Sequence, residues 1–328
     1  MSFEFPKRID LARVPTRIEK LKKVSNYFEG PQIYVKRDDF TGVATTGNKI
    51  RKLEFLLADA VEQNCDCVIT CGSYNSNHAR ATAVAAAKVG LKCHLVLRDG
   101  MRAPMEGNLF LDRLVGAEVE YVTHEEYKQI DGIMQEVAER FHSEGHNPYI
   151  IPEGGSNEIG SLGYVKAAEE IAQQLKSMKL QIHHIVTAVG SGGTYAGLLL
   201  GKFLYDLPMQ FHGINVCDDA AFFTKKIDSL LKKIQKRFDL DLPISKKDLS
   251  IIDGYVGKGF GLSSQEEIDL IKQIAQTEGL ILDPVYTGKA MLGLKDQIRQ
   301  GRFKPDENLL FVHTGGIFGL FAKKSLFF

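Results

Sequence analysis

The sequence predicts an α/β protein built on parallel sheets covered by helices. Three observations point there. Short apolar runs alternate with helix-like segments along most of the chain. Several of those runs are apolar throughout, as strands buried on both faces are. The length of 328 residues is long for one simple core and suits two lobes or one large α/β unit.

The elements follow in order. IYVKRDD (33–39) is predicted as a strand from its β-branched and aromatic residues, and 48–63 as a helix from its apolar period. CVITCG (67–72) is a strand, the alanine-rich ATAVAAAKVG (81–90) a helix and CHLVLRD (93–99) a strand. A helix over roughly 105–115 precedes the strand EVEYV (118–122), and another runs to about 141 before the strand PYIIP (148–152). VKAAEEIAQQL (165–175) is helical, HHIVTAVG (183–190) a strand, and a helix follows to about 204. Residues 218–250, with FFTKKIDSLLKKIQKRF, are expected to form a lysine-rich amphipathic insertion with one solvated face. No linker divides the chain, so two lobes would exchange chain segments.

Composition narrows the function. Hydrophobic residues make up 44% and charged residues 25%, as in an ordinary globular protein. Lysine plus arginine and aspartate plus glutamate each number 41, so net charge predicts no attraction to nucleic acid or to an anionic membrane. No run reaches the roughly 18 apolar residues of a membrane span. The first residues, MSFEFPKRIDLARVP, lack the apolar core of a secretory signal. The five cysteines, Cys65, Cys67, Cys71, Cys93 and Cys217, are odd in number, which argues against a disulfide framework. Cys67 and Cys71 lie in the strand-like CVITCG, so buried thiols are expected rather than a metal site. A reduced, cytoplasmic setting is the simplest expectation.

The stretch TTGNKIRKLEF (45–55) holds two lysines three residues apart. Asn48 suits an N-cap and Gly47 a sharp turn before it. Around the helix that follows, Ile50, Leu53, Leu56, Leu57, Ala60 and Val61 form one apolar arc. Lys49 falls roughly 60° from its centre, Lys52 roughly 120° and Arg51 roughly 140°. Lys49 therefore points toward the buried side of the first turn. Burial and the positive end of the helix dipole both favour a neutral, nucleophilic amine there, as Schiff-base chemistry requires. The alternative is an amine that snorkels to solvent. Lys52 and Arg51 are left as flanking charges.

AVGSGGTYAG (188–197) follows a strand and opens a helix. Gly190, Gly192 and Gly193 let backbone N–H groups face an anion, while Ser191 and Thr194 add hydroxyls. No GKS/T closes the loop and Tyr195 breaks a GxGxxG spacing, so neither a nucleoside-triphosphate loop nor a dinucleotide fingerprint fits. A small monophosphate suits it, with a plain tight turn as the alternative. GSYNSNHAR (72–80) is a second helix start, where Ser76, Asn77 and His78 could meet a carboxylate or serve only as a cap. EGGSNEIGSLGY (153–164) is a third glycine-rich turn after a strand, where open α/β sheets bind ligands. LDPVYTGKA (282–290) and FVHTGG (311–316) contribute Tyr286, Thr287 and Thr314, with His313 and Lys289 in structural or surface roles.

Together these segments resemble the pyridoxal-phosphate enzymes of fold type II, which are tryptophan synthase beta-like. Within them they resemble the branch holding 1-aminocyclopropane-1-carboxylate deaminase and D-cysteine desulfhydrase. The carriers are YVKRDDFTGVATTGNKIRKLEF, SNHAR, PEGGSNEIGSLGY, GSGGTYAG, LDPVYTGKA and HTGG, in family order over almost the whole chain. The resemblance implies two open, twisted, mostly parallel sheets flanked by helices. It implies a larger cofactor-binding domain from 1–50 and 160–328 and a smaller α/β domain from 51–159, with approximate boundaries. It also implies pyridoxal 5′-phosphate as cofactor, a small amino acid as substrate, no metal and a homodimer.

By the same resemblance Lys49 carries the cofactor as a Schiff base and Asn77 pairs with its 3′ oxygen. Ser191, Gly192, Gly193 and Thr194 form the phosphate cup, and Tyr286 stacks on the ring. Ser76, Asn77 and His78 take the substrate carboxylate, and Ser76 also serves in proton transfer. The deaminase has glutamate after the tyrosine of DPVY, supporting a protonated ring nitrogen. Here Thr287 follows, and Thr314 replaces an apolar residue. SNH stands where the deaminase has glutamine for the histidine. These departures imply a lyase resembling D-cysteine desulfhydrase, acting by α,β-elimination. Asn75 departs from the usual glutamine and leaves cysteate, β-chloroalanine or a serine derivative open as substrates.

Overall fold

The structure, a computed structural model, describes residues 3–101 and 103–328. In chain order the first elements are β1 (Ile18–Lys20), α1 (Lys22–Phe28), β2 (Gln32–Lys36) and α2 (Lys49–Glu62). Next come β3 (Cys67–Ser73), α3 (Asn77–Val89), β4 (Lys92–Arg98), α4 (Gly107–Leu114), β5 (Glu118–Val122), α5 (Ile130–Ser143) and β6 (Pro148–Ile150). The chain continues through α6 (Leu162–Met178), β7 (His184–Val189), α7 (Gly193–Leu204), β8 (Gln210–Asn215), α8 (Ala220–Arg237) and β9 (Ser250–Ile252). It closes with α9 (Gln265–Glu278), α10 (Thr287–Arg299), β10 (Asn308–Val312) and α11 (Ile317–Phe321).

The strands form two sheets, ordered β1-β2-β10-β7-β8-β9 and β5-β4-β3-β6. Every neighbouring pair is parallel except β1 with β2. The predicted α/β class with mostly parallel sheets is the one observed. The chain leaves the first sheet after β2, builds the second, and returns with β7, so the sheets do exchange chain segments. Strands β3 and β7 are buried at nearly every position, which explains their unbroken apolar runs.

Several boundaries differ from the sequence reading. The first predicted strand ends at Lys36, because Asp38–Phe40 turn into a short 3₁₀ helix. Helix α3 starts at Asn77, within the helix start expected over 72–80, with the Ser76 hydroxyl accepting the N–H groups of His78 and Ala79 as an N-cap. Residues 218–250 are not an insertion: α8 is the crossover between the parallel strands β8 and β9. Phe223, Ile227, Leu230 and Ile234 make its buried face, and most of its lysines are exposed.

Helix α2 departs furthest from expectation. It is not one-sided: Arg51, Lys52, Glu54 and Phe55 are buried along with the apolar arc up to Ala60, while Val61 is exposed. The N-terminal segment covers the second face, with the Leu11 and Ala12 N–H groups donating to Glu54 at 3.0 and 2.8 Å. Arg51 donates through Nε and Nη2 to Asp38 at 2.9 and 2.8 Å, and through Nη1 to Glu170 of α6 at 2.9 Å. Asp38 also accepts from Tyr164 at 2.6 Å and Thr16 at 2.7 Å. Lys36 donates to Glu170 and Gln174. Arg51 is therefore no flanking charge; it ties α2 to β2 and α6.

Burial alone would raise the Asp38 carboxyl. The Arg51 guanidinium outweighs that and holds it at about 2. The stability contributed by this carboxylate is complete above its ordinary value of 3.8 and is lost as pH falls through about 2. Asp38→Ala is expected to cost about 3 kcal/mol or more in denaturant unfolding, because it strands a buried guanidinium. Asp38→Asn is expected to flatten the acid-side loss of stability over that window. Equal acid dependence in wild type and Asp38→Asn would contradict the assignment.

Candidate active site

Loops at the C-terminal ends of β3, β6 and β7 converge on a cavity of about 480 Å³, the position where open α/β sheets bind ligands. Its wall includes Lys49, Ser76, Asn77, Ser191, Tyr286 and Thr314. The sequence-predicted residues are thus gathered at one place.

Lys49 is the first residue of α2, and its side chain lies against the cavity. Its amine is 3.5 Å from the Gly154 carbonyl. The Lys49 amine is depressed to about 8: burial is the main cause, and the charge of Lys226 adds to it against the pull of Glu153. The turn before it is fixed from both sides. Gly47 has φ +105°, and a Cβ there would sit 2.7 Å from the Thr314 carbonyl. The Asn48 N–H donates to that same carbonyl at 3.1 Å. Asn48 does not cap the helix as expected. Its amide reaches across to donate to Thr194 at 2.9 Å, which ties the lysine turn to the glycine loop.

The loop Gly190–Thr194 forms the predicted cup at the start of α7. Gly192 has φ +91°, a conformation that suits glycine. The Gly193 N–H donates to Ser156 at 3.2 Å, and Ser156 and Ser191 share a hydrogen bond of 2.8 Å. Lys52, read as a flanking charge, is fully buried beneath this loop. It donates to the Gly154 carbonyl and to Ser156, both at 3.0 Å. A Cβ on Gly193 would lie 2.8 Å from the Lys52 amine. Burial, then the nearby charges of Lys49 and Lys226, push the Lys52 amine well down. Three hydroxyls, a buried lysine and the N–H groups of a helix start are the donor set a phosphate monoester needs.

The remaining predicted residues divide. Ser76 and Asn77 reach the cavity at the start of α3. His78 lines the cavity beside them, but its ring is buried and is not a free donor. Thr70 gives its proton to the Ile151 carbonyl at 2.8 Å, so His78 Nε2 must donate to Thr70 at 2.9 Å. Burial, with Lys49 and Lys52 nearby, holds the ring neutral. The Tyr286 ring lies against the glycine loop, where a Cβ on Gly190 would approach it to 2.8 Å. Thr314 reaches the wall, but Thr287 does not. Thr287 is buried, with its hydroxyl donating to Asp283 at 2.7 Å.

Sequence reasoning missed several wall residues. Gly154 belongs to the third glycine-rich turn, and Ser156 of the same turn stands behind the wall, bonded to Ser191 and Lys52. The Glu153 carboxylate accepts from Tyr127 at 2.7 Å at the edge of the cavity. The Arg98 guanidinium stacks between the rings of Tyr127 and Phe260, at 4.8 and 5.1 Å. Lys226, on the helix expected to be merely solvated, stands at the cavity rim. His313 and Lys289 are structural, Lys289 holding the Val256 and Gly259 carbonyls.

All five cysteines are free thiols. Among the described residues no cluster of His, Cys, Asp or Glu could hold a metal, and no helix is long and apolar enough to cross a membrane.

The family described as "Pyridoxal-phosphate dependent enzyme" matches residues 9–315. A protein of Arabidopsis thaliana named bifunctional D-cysteine desulfhydrase/1-aminocyclopropane-1-carboxylate deaminase, mitochondrial, is 41% identical over 95% of this chain and 79% of its own. A D-cysteine desulfhydrase of Klebsiella pneumoniae is 42% identical over 97% of this chain and 96% of its own. The crystal structure of an ACC deaminase homologue superposes with a TM-score of 0.90 at 40% identity, covering 98% of this chain and 96% of that one. With a lysine amine and a phosphate-type cup on one cavity, and relatives of this closeness over its whole length, the chain belongs to the pyridoxal-phosphate dependent enzyme family.

Proposed function

We propose that the chain is a lyase resembling D-cysteine desulfhydrase, converting D-cysteine and water to pyruvate, ammonia and hydrogen sulfide. The observation that carries this is the pairing of Lys49 and the cup with a neutral hydroxyl, Thr314, on the cavity wall. Bound pyridoxal phosphate supplies the electron sink that stabilises a carbanion at the substrate Cα. The chain's residues do the rest. Lys52, Ser156, Ser191, Thr194 and the N–H groups of the loop hold the phosphate. Tyr286 would cover the ring and Asn77 would donate to its phenolic oxygen. Ser76 and the start of α3 orient the substrate carboxylate.

Lys49, with its amine depressed toward neutrality, carries the cofactor and then takes the Cα proton at Nζ. Thr314, a neutral hydroxyl on the cavity wall, would be the partner of the ring nitrogen and, being neutral, would leave it largely unprotonated. That suffices for loss of a good β-leaving group after α-proton removal, whereas opening a cyclopropane with no α-hydrogen calls for a stronger sink. Deamination of 1-aminocyclopropane-1-carboxylate is the second reading, favoured by the paired activities in the name of the Arabidopsis relative. We also propose that the two sheets are the cores of two domains, 1–50 with 160–328 and 51–159. The active form is proposed to be a homodimer, and five free thiols fit a reducing cytoplasmic setting.

Four measurements test this reading. Pyruvate release from a panel of D- and L-amino acids is expected to be fastest with D-cysteine; 2-oxobutanoate from 1-aminocyclopropane-1-carboxylate as the main product would favour the second reading. Lys49→Ala is expected to abolish the visible absorbance of the bound cofactor and turnover. Lys52→Ala is expected to keep the band but raise the cofactor Kd at least tenfold, by loss of a charge-assisted contact. Because the neutral amine is the nucleophile, the rate at which cofactor-free protein takes up pyridoxal phosphate is expected to rise with pH around a midpoint near 8. A midpoint at the ordinary lysine value of 10.5 would contradict the depressed amine.

A further inference from the structure

Arg80 is a fully buried arginine of α3 whose guanidinium meets only neutral acceptors. Nη1 donates to the Ala44 carbonyl at 2.7 Å, Nη2 to the Thr46 carbonyl at 2.8 Å, and Nε to the Asn108 side-chain oxygen at 3.2 Å. Among the described residues no carboxylate hydrogen-bonds it. Thr46 lies three residues before Lys49, and Asn108, on α4, is also fully buried. Asn108 Nδ2 donates to the Asn77 side-chain oxygen at 2.9 Å and to the Asn75 carbonyl at 2.9 Å.

The direction of this chain of bonds is dictated from its far end. A guanidinium can only donate, so Asn108 must turn its oxygen toward Arg80. Its NH₂ group then faces Asn77 and Asn75. The Asn75 carbonyl, which can only accept, fixes the same orientation independently. Asn77 must answer with its own oxygen. The Asn77 NH₂ group makes no hydrogen bond among the described residues, and Asn77 lines the cavity. A flipped Asn77 would set two NH₂ groups against each other.

We propose that Asn108, locked by Arg80, is a positioning residue that makes Asn77 present a hydrogen-bond donor, never an acceptor, to an anionic oxygen of the bound cofactor. This rests on the reading that Asn77 faces the phenolic oxygen of pyridoxal phosphate. Arg80 completes the arrangement by holding the Thr46 carbonyl, so one cation sets both the Asn77 amide and the turn leading to Lys49.

The test compares holoenzyme spectra of Asn77→Ala, Asn108→Asp and the double variant, loaded with pyridoxal 5′-phosphate. Asn108→Asp keeps the volume and leaves Arg80 an acceptor, but presents no donor to Asn77. Its visible band is expected to shift toward shorter wavelength, as the proton moves onto the phenolic oxygen, and its cofactor Kd to rise about tenfold. Asn77→Ala is expected to shift the band in the same direction, and the double variant to go no further than Asn77→Ala alone. If Asn108→Asp does not fold cooperatively, Asn108→Ala carries the same comparison. An unmoved band in Asn77→Ala overturns the placement of Asn77 on which the proposal rests. A shifted band in Asn77→Ala with an unmoved band in the Asn108 variants overturns the proposal itself.

Discussion

One carbonyl oxygen, that of Gly154, has two lysine amines around it, Lys52 at 3.0 Å and Lys49 at 3.5 Å. Two ammonium groups this close and away from bulk water repel each other and lose hydration, so both cannot stay charged without an anion. The site resolves the conflict by dividing the roles. Lys49, depressed to about 8, is poised to be a neutral nucleophile. Lys52 lies under the glycine loop proposed to hold the cofactor phosphate, whose charge would restore its own. Chemistry and cofactor binding are thus two outcomes of one electrostatic constraint at the start of α2.

That arrangement needs α2 to be rigid and its neighbours to come very close. Rigidity comes from the buried network of Asp38, Arg51, Glu170 and Tyr164, which fixes the helix at Arg51, two residues after Lys49. Close approach comes from glycine. A Cβ on Gly154 would lie 2.4 Å from the Ser191 hydroxyl and 3.1 Å from the Lys49 amine. The glycines at 47, 190 and 193 serve the same purpose toward Thr314, Tyr286 and Lys52. Each glycine-rich turn follows a strand or opens a helix, so the sheets deliver the backbone to the site and the missing side chains let it close.

Much of this was legible in the sequence. Strands such as CVITCG and EVEYV stood out because burial on a parallel sheet leaves unbroken or β-branched runs, and the glycine loops stood out because few other segments tolerate such turns. Lys49 was legible because a lysine on the apolar side of a first turn is unusual. Lys52 and Arg51 were not. A helical wheel assumes one buried face, and α2 has a second cover in the N-terminal segment that contacts Glu54. Asn48 was read as a cap because local pattern cannot show that Thr194, far along the chain, offers its amide an acceptor. Thr287 and Thr314 looked equivalent as neutral hydroxyls. Only the Asp283 carboxylate, which draws Thr287 away from the cavity, separates them. His78 does line the cavity, but only the fold shows that Thr70 on the preceding strand holds Nε2 of its ring.

The central claim is that Lys49, and not the more deeply buried Lys52, bears the cofactor. Borohydride reduction of the purified protein, followed by peptide mass spectrometry, reads the attachment point directly. A phosphopyridoxyl group on Lys49 alone is the predicted result. The group on Lys52, or on neither lysine in protein that shows the cofactor's visible absorbance, would contradict it.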